Sequence, residues 1–253
     1  MDLTGAFGRP LAKAGGRLAD LIVLHQCVLC RRFAETTGLC TACWEDLAPI
    51  AAPTCDRCGL PLSHTLADPL CAACWATPPR LAAIRGCFCY TGSARDLILA
   101  FKHGDGLQLT PFLTRLMARL FIELVQDDTL VVPIPLHRRR YYRRRYNQAA
   151  ELARHLCAVT GLGMFAPHVL IRRRATRSQG GLSRHQRMRN VTGAFAVPPS
   201  ARAHLQDRPV LLIDDVMTTG ATLGEAARRL QAAAGGGDVS ALVLARVTRP
   251  QDA

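Results

Sequence analysis

The sequence predicts an α/β protein, an open and mostly parallel sheet flanked by helices, with a small cysteine-rich module ahead of it. Three observations carry that reading. Beyond about residue 80, strand-like apolar runs alternate with segments whose apolar residues recur at helical spacing, the pattern of strands joined by helical crossovers. Ahead of that point lie four C-x-x-C pairs separated by turn-forming stretches such as "GLPLSHTLADP", ending in Pro78-Pro79. Near the C-terminus, "VLLIDDVMTTGATL" runs from apolar residues into two adjacent acids and then a Thr/Gly loop, as a central parallel strand does where it leaves a sheet. Residues 1–80 are therefore expected to form the module, after a short N-terminal helix, and residues 81–253 the α/β domain.

A chain of 253 residues that is 49% apolar has room for one large domain and such a module. No run of about 18 apolar residues occurs, so no membrane span is expected. The opening segment holds only a short apolar patch, Leu21 to Leu24, and lacks the longer core of a secretory signal, which points to a cytoplasmic protein. Eleven cysteines is an odd number and eight fall in C-x-x-C pairs, which in a reducing compartment argues for metal rather than disulfides.

The module contains a duplication. Cys27, Cys30, Cys40 and Cys43 recur as Cys55, Cys58, Cys71 and Cys74, displaced by 28 residues for the first pair and 31 for the second. "CTACW" matches "CAACW", and the two copies hold the only tryptophans, Trp44 and Trp75. Four thiolates per copy make one tetrahedral Zn²⁺ site closed to water, so two structural zinc ions are expected. So small a module has too little core to fold alone, and each metal contributes on the order of 10 kcal/mol. The spacers of nine and twelve residues are shorter than the common ribbon spacing of about 15–20. That leaves an interleaved arrangement open beside the in-line pairing that the in-line repeat favours. Reduced cysteines in a small core are the plainer alternative, which four successive pairs disfavour. A redox role lacks the β-α-β context of thioredoxin-like motifs. Cys87 and Cys89 share one face of a presumed strand and, with Cys157, read as core.

The later elements follow in order. "RGCFCYTG" at 85–92 reads as a strand, and Ala94 to Phe101 and Pro111 to Val125 have helical spacing. "LVVPIP" at 130–135 is a strand. "NQAAELARHLCAVTG" is a helix with Ala149, Leu152, Ala153 and Leu156 on one face and Gly161 as its stop. The strand at 210–213, the loop, a helix from Leu223 to Ala234, a "GGG" turn and a last strand from 239 complete the set.

The loop "MTTGAT" offers three Thr hydroxyls and Gly220 at a helix N-terminus, a place suited to phosphate. It lacks the lysine of a Walker A motif, so an NTP-binding P-loop is disfavoured. Asp214 and Asp215 would repel a phosphate unless they faced sugar hydroxyls or a Mg²⁺-bridged diphosphate. A ligand with a 5′-phosphate and a neighbouring ribose diol explains the whole stretch.

"VLLIDDVMTTGATL" resembles the binding motif for 5-phosphoribosyl 1-diphosphate (PRPP) in type I phosphoribosyltransferases. "VVPIPLHRRRYYRRRYNQAAELA" and "RRRATRSQGGLSRHQRMRNVTGAFAV" resemble two further signatures of the ComF family, bacterial proteins tied to natural competence and DNA utilisation, in which a double zinc ribbon precedes this domain. The resemblance spans about residues 20–248. It implies a type I phosphoribosyltransferase-like fold, with Asp214 and Asp215 on the ribose hydroxyls. It further implies Thr218, Thr219, Gly220, Ala221 and Thr222 on the 5′-phosphate, and Pro133, Ile134, Pro135 and Leu136 as the pyrophosphate loop. The implied reaction displaces Mg²⁺-pyrophosphate from ribose C1 through a cation-like transition state, by positioning and charge stabilisation. Where the family usually reads Arg-Gly-Phe-Asn-Gln, this chain has Arg144-Arg145-Tyr146-Asn147-Gln148, a more basic and less permissive turn.

Between residues 129 and 206 stand fifteen basic residues and one acid, Glu151, so the excess charge of the whole chain lies in that window. Six arginines fall in 138–145 around Tyr141 and Tyr142, and seven in 172–189. A solvated surface is the bland reading. The sharper one gives Arg144 and some of the later set to pyrophosphate, since guanidinium forks suit it. The remaining nucleic-acid or diphosphate candidates are Arg138, Arg139, Arg140, Arg143, Arg145, Arg172, Arg173, Arg174 and Arg187, which with the tyrosines suit single-stranded DNA. Gln179 and Asn190, flanked by Arg177, Arg187 and Arg189, are candidates to orient a lid, and Lys102-His103-Gly104 is a candidate further phosphate contact. Two functions are expected to compete: an enzyme transferring phosphoribosyl to an unidentified acceptor, and a non-catalytic scaffold or PRPP sensor that works with DNA and competence or DNA-processing proteins.

Overall fold

The structure, a computed structural model, describes residues 25–248 apart from 66, 103–105, 177–182 and 235–236, and does not describe the side chains of residues 143, 184 and 234. The expected N-terminal helix, the Leu21–Leu24 patch, His103, Gly104, Arg177 and Gln179 lie outside the described residues. Two compact units are present, residues 1–46 and 47–253. The division falls inside the cysteine-rich segment, between its two copies. The reason is local: Ile84 N–H donates to the Arg57 carbonyl at 2.8 Å and Ile50 N–H to that of Cys87 at 2.9 Å, so the second cysteine copy is laced into the α/β body.

In the first unit the described residues 25–46 form one cysteine ribbon with a short helix, α1 (Thr41–Glu45). The second unit opens with the other ribbon and its helix α2 (Ala72–Ala76). It continues with β1 (Ile84–Cys89), α3 (Gly92–Lys102), α4 (Thr110–Leu124), β2 (Leu130–Pro133), α5 (Arg138–Arg144), α6 (Gln148–Thr160) and β3 (Met164–Phe165). After these come β4 (Ile171–Arg172), α7 (Arg184–Val191), β5 (Phe195–Ala196), α8 (Arg202–Leu205), β6 (Val210–Met217), α9 (Ala221–Ala234) and β7 (Val239–Arg246).

Five strands make the main sheet in the order β1-β7-β6-β2-β3, every pairing parallel. β4 and β5 form a separate antiparallel pair. β6 lies at the centre, and Leu211, Leu212 and Ile213 are fully buried, as a strand covered on both faces requires. α6 begins where the Asn147 side chain accepts from Ala149 N–H and ends at Gly161 with φ +70°, the left-handed stop expected of that glycine. α5, α7 and the β4–β5 pair were not expected from periodicity. α5 is all Arg and Tyr and carries no apolar stripe, and β4 and β5 are two residues each, too short for alternation to register.

Candidate functional site

The carboxyl end of β6 carries the acid pair. The apolar run stops at Ile213, but the ladder continues through Asp214 and Asp215 to Met217, because β7 supplies partners as far as Arg246. The acids therefore sit on strand, not on a turn. Thr218 to Gly220 follow, Gly220 at φ +74°, a left-handed angle that favours glycine. α9 begins at Ala221, two residues before the expected Leu223, so Ala221 and Thr222 lie in its first turn among N–H groups without intrahelical acceptors. Thr219 Oγ1 is buried with no hydrogen-bond partner among the described residues. An orphaned hydroxyl in such a loop is the mark of a missing acceptor or donor.

Lys102 pairs with one acid, and Arg172 adds positive charge nearby. Lys102, the last residue of α3, places Nζ 2.9 Å from Asp215 Oδ2, with both side chains largely buried. Asp215 N–H donates to Asp214 Oδ1 at 2.9 Å. Burial, and next the neighbouring Asp215, push the Asp214 carboxyl up to about 7, while that hydrogen bond, Lys102 and Arg172 pull the other way. Arg172 in β4 is held down at about 10 by burial first and by Arg140 second. Its guanidinium donates to the Pro135 carbonyl at 3.4 Å and to Thr176 Oγ1 at 2.5 Å, and lies 5.2 Å above the Phe195 ring. Arg140 donates to the Thr176 carbonyl at 3.0 Å.

The segment Pro133 to Leu136 leaves β2 beside β6. Ile134 N–H donates to the Ile213 carbonyl at 2.9 Å, and the Ile134 carbonyl accepts from Asn147 Nδ2 at 3.0 Å. The structure thus brings the acid pair, this loop, Lys102 and Arg172 together. Arg144, half-buried, donates to Gln148 Oε1 at 3.2 Å. Arg174 caps the Asn190 and Thr192 carbonyls, Arg173 is exposed, and Arg187 in α7 has a buried Nε without a partner among the described residues. Arg138, Arg139 and Arg145 face solvent with Tyr141 and Tyr142, and the Arg143 side chain lies outside the described residues.

Sequence reasoning missed two features. Lys102 read as a phosphate contact, and the structure places it on Asp215. The carbonyl of Phe101, one residue earlier, accepts from Tyr146 Oη and from Gln148 Nε2, so the end of α3 is pinned by two buried donors. The one available signal was the tyrosine standing where the ComF pattern has phenylalanine.

The eight module cysteines form two clusters in line, Cys27-Cys30-Cys40-Cys43 and Cys55-Cys58-Cys71-Cys74, the sulfurs of each all within 4.8 Å of one another. The Cys30–Cys40 and Cys58–Cys71 sulfurs are 3.6 and 3.7 Å apart. Around Zn²⁺ at about 2.3 Å, tetrahedral sulfurs lie about 3.8 Å from one another, so both clusters fit that ion. The hydrogen bond from Arg32 holds the Cys30 thiol down at about 6, favouring the thiolate a metal needs.

Fold and site define the class: a parallel α/β protein with a paired-acid strand end, carrying a double cysteine ribbon. A family model described as a double zinc ribbon domain matches residues 18–75. The chain is 30% identical over 218 residues to the DNA utilization protein YhgH of Salmonella typhimurium, covering 83% of this chain and 92% of that one. It is 29% identical to Competence protein F of Haemophilus influenzae, covering 81% and 90%, and 28% identical to Competence protein ComFC of Bacillus subtilis, covering 92% and 98%. The chain belongs to this ComF family of competence and DNA-utilisation proteins. Among solved structures, a hypoxanthine phosphoribosyltransferase from Staphylococcus aureus overlaps 57% of this chain and 65% of its own, with 16% identity and a TM-score of 0.34. Among the described residues no helix is long and apolar enough to cross a membrane.

Proposed function

We propose that the β6–α9 site binds PRPP with Mg²⁺ and transfers its phosphoribosyl group, and that the outward arginines of α5 hold single-stranded DNA. The observation that carries the first part is the juxtaposition at one strand end of Asp214, Asp215, an orphaned Thr219 hydroxyl and a helix N-terminus, with Lys102 and Arg172 alongside. In this reading the carboxylates accept from the ribose 2′ and 3′ hydroxyls, and Thr218 to Thr222 surround the 5′-phosphate. The Pro133–Leu136 loop, Arg172 and Arg140 face the diphosphate. Mg²⁺, when bound, supplies charge neutralisation to the leaving diphosphate. No covalent nucleophile is required, since orientation and field lower the barrier.

A second reading has one observation in its favour. The Lys102–Asp215 pair satisfies that acid without any ligand, as a non-catalytic scaffold or sensor that keeps the fold would allow. Calorimetric titration with PRPP and Mg²⁺, alone and then with a single-stranded oligonucleotide, separates the two. Asp214→Asn with Asp215→Asn is expected to lower PRPP affinity at least tenfold and to leave DNA affinity unchanged. Wild-type protein that ignores PRPP under both conditions leaves only the scaffold.

A further inference from the structure

The second cysteine cluster is built into the strand end that carries the acid pair. Arg246, the last residue of β7 and 7% exposed, donates its guanidinium to the Cys58 carbonyl across 188 residues of sequence. On its own strand Arg246 stands in register with Met217 of β6 on one side and Cys89 of β1 on the other. Val247 N–H donates to the Met217 carbonyl at 2.8 Å, and Tyr90 N–H to that of Arg246 at 2.7 Å. Cys58 packs against the same buried cluster as Met217 and Leu223, the residues that flank the Thr218–Thr222 loop. Gly59 sits so close to β1 that a Cβ there would lie 2.5 Å from the Ile84 carbonyl oxygen.

We propose that Arg246 is a positioning residue that makes the Cys55-Cys58-Cys71-Cys74 cluster a structural member of the Asp214–Asp215 site. Metal at this cluster fixes the Cys58 turn, and the turn fixes Arg246. Arg246 in turn holds the β6–β7 end that carries the acids and leads into the loop. The role belongs to the second cluster. The inference concerns order at that strand end, so it stands or falls without any ligand being bound.

The test uses the full-length, metal-loaded chain. A chelator removes metal while its release and amide hydrogen exchange at residues 210–222 are followed together, in wild type, Cys30→Ser and Cys58→Ser. Protection at 214–222 is expected to survive in Cys30→Ser and to fall at least tenfold in Cys58→Ser. In wild type it is expected to fall in step with metal loss from the second cluster. Arg246→Met should speed release from the second cluster about 10–100-fold, the usual effect of losing an outer-shell partner, and leave the first unchanged. Should a cysteine variant fail to fold, the wild-type chelation course and the milder Arg246→Lys give the same reading. Unchanged protection after both metals are gone, or equal release rates in Arg246→Met and wild type, overturns the proposal.

Discussion

At the turn after Cys30 the first ribbon places Arg31 at φ +63°, and at the matching turn after Cys58 the second places Gly59 at φ +65°. The surrounding backbone is the same in both. Arg31 N–H donates to the Cys27 carbonyl and Gly59 N–H to that of Cys55; Trp44 N–H donates to the Cys40 carbonyl and Trp75 N–H to that of Cys71. The next residue is exposed Arg32 in the first copy and buried Leu60 in the second. One local fold thus serves twice, and the difference lies in what covers it. In the second copy the left-handed residue abuts the Ile84 backbone and has no room for a side chain, while in the first an arginine occupies the strained angle and extends into solvent. A duplicated metal turn fixes its own hydrogen bonds and leaves its tertiary role to the side chains of the outer face.

Exchanging the turn residues tests that contrast most severely. Gly59→Arg adds a clash with backbone to an unfavourable φ and is expected to cost about 3 kcal/mol or more, read as a lower denaturation midpoint of the unit spanning residues 47–253. Retained stability would mean that this ribbon is not packed as described. A smaller effect is expected where the cluster's influence ends, at Asp214. Its folded pKa lies above the ordinary carboxylate value, so the carboxyl binds its proton more tightly in the folded chain. The fold therefore loses stability as pH rises from about 4 through about 7. Asp214→Asn should be more stable than wild type at pH 8 by about 1 kcal/mol, roughly 2–4 °C for a domain of this size, with the gap closing by pH 4. A constant difference across that range would remove the buried acid from the account.

Smaller again is Arg31→Gly, which relieves the left-handed strain in an exposed turn and is expected to be neutral or up to about 1 kcal/mol stabilising. A loss instead would show that the Arg31 side chain contributes packing. Arg145, at φ +66° where the ComF pattern has glycine, offers the parallel case in the α/β body. Arg145→Gly should not destabilise, and if the residue meets a phosphate it should lower the salt slope of single-stranded DNA binding by about 0.7. An unchanged slope returns Arg145 to ordinary surface.

Much of this was legible in one dimension. Cysteine spacing and its repeat specify two four-sulfur sites, since chelation acts over a few residues and tetrahedral geometry admits few pairings. The apolar run Val210–Ile213 and the Thr/Gly loop specify a central strand and a helix start, because burial on both faces and orphan N–H groups are local demands. Arg145 was legible as a departure, and its left-handed angle gives the reason glycine is usual there. Other features depended on residues far apart in the chain. Lys102 meets Asp215 beside a Phe101 carbonyl held by Tyr146 and Gln148, and the strand continues past Ile213 paired with β7. Spacing alone could not divide the arginine window into Arg140 and Arg172, turned toward Thr176 and the acid pair, and Arg138, Arg139 and Arg145, left to solvent. Nor could it show that two ribbons of one design belong to different compact units. The sequence determined the local geometry of each metal turn and each strand end, where the forces act between near neighbours. Which copy became part of the α/β body was decided by tertiary packing, where Arg246 reaches Cys58 and no signal along the chain links the two.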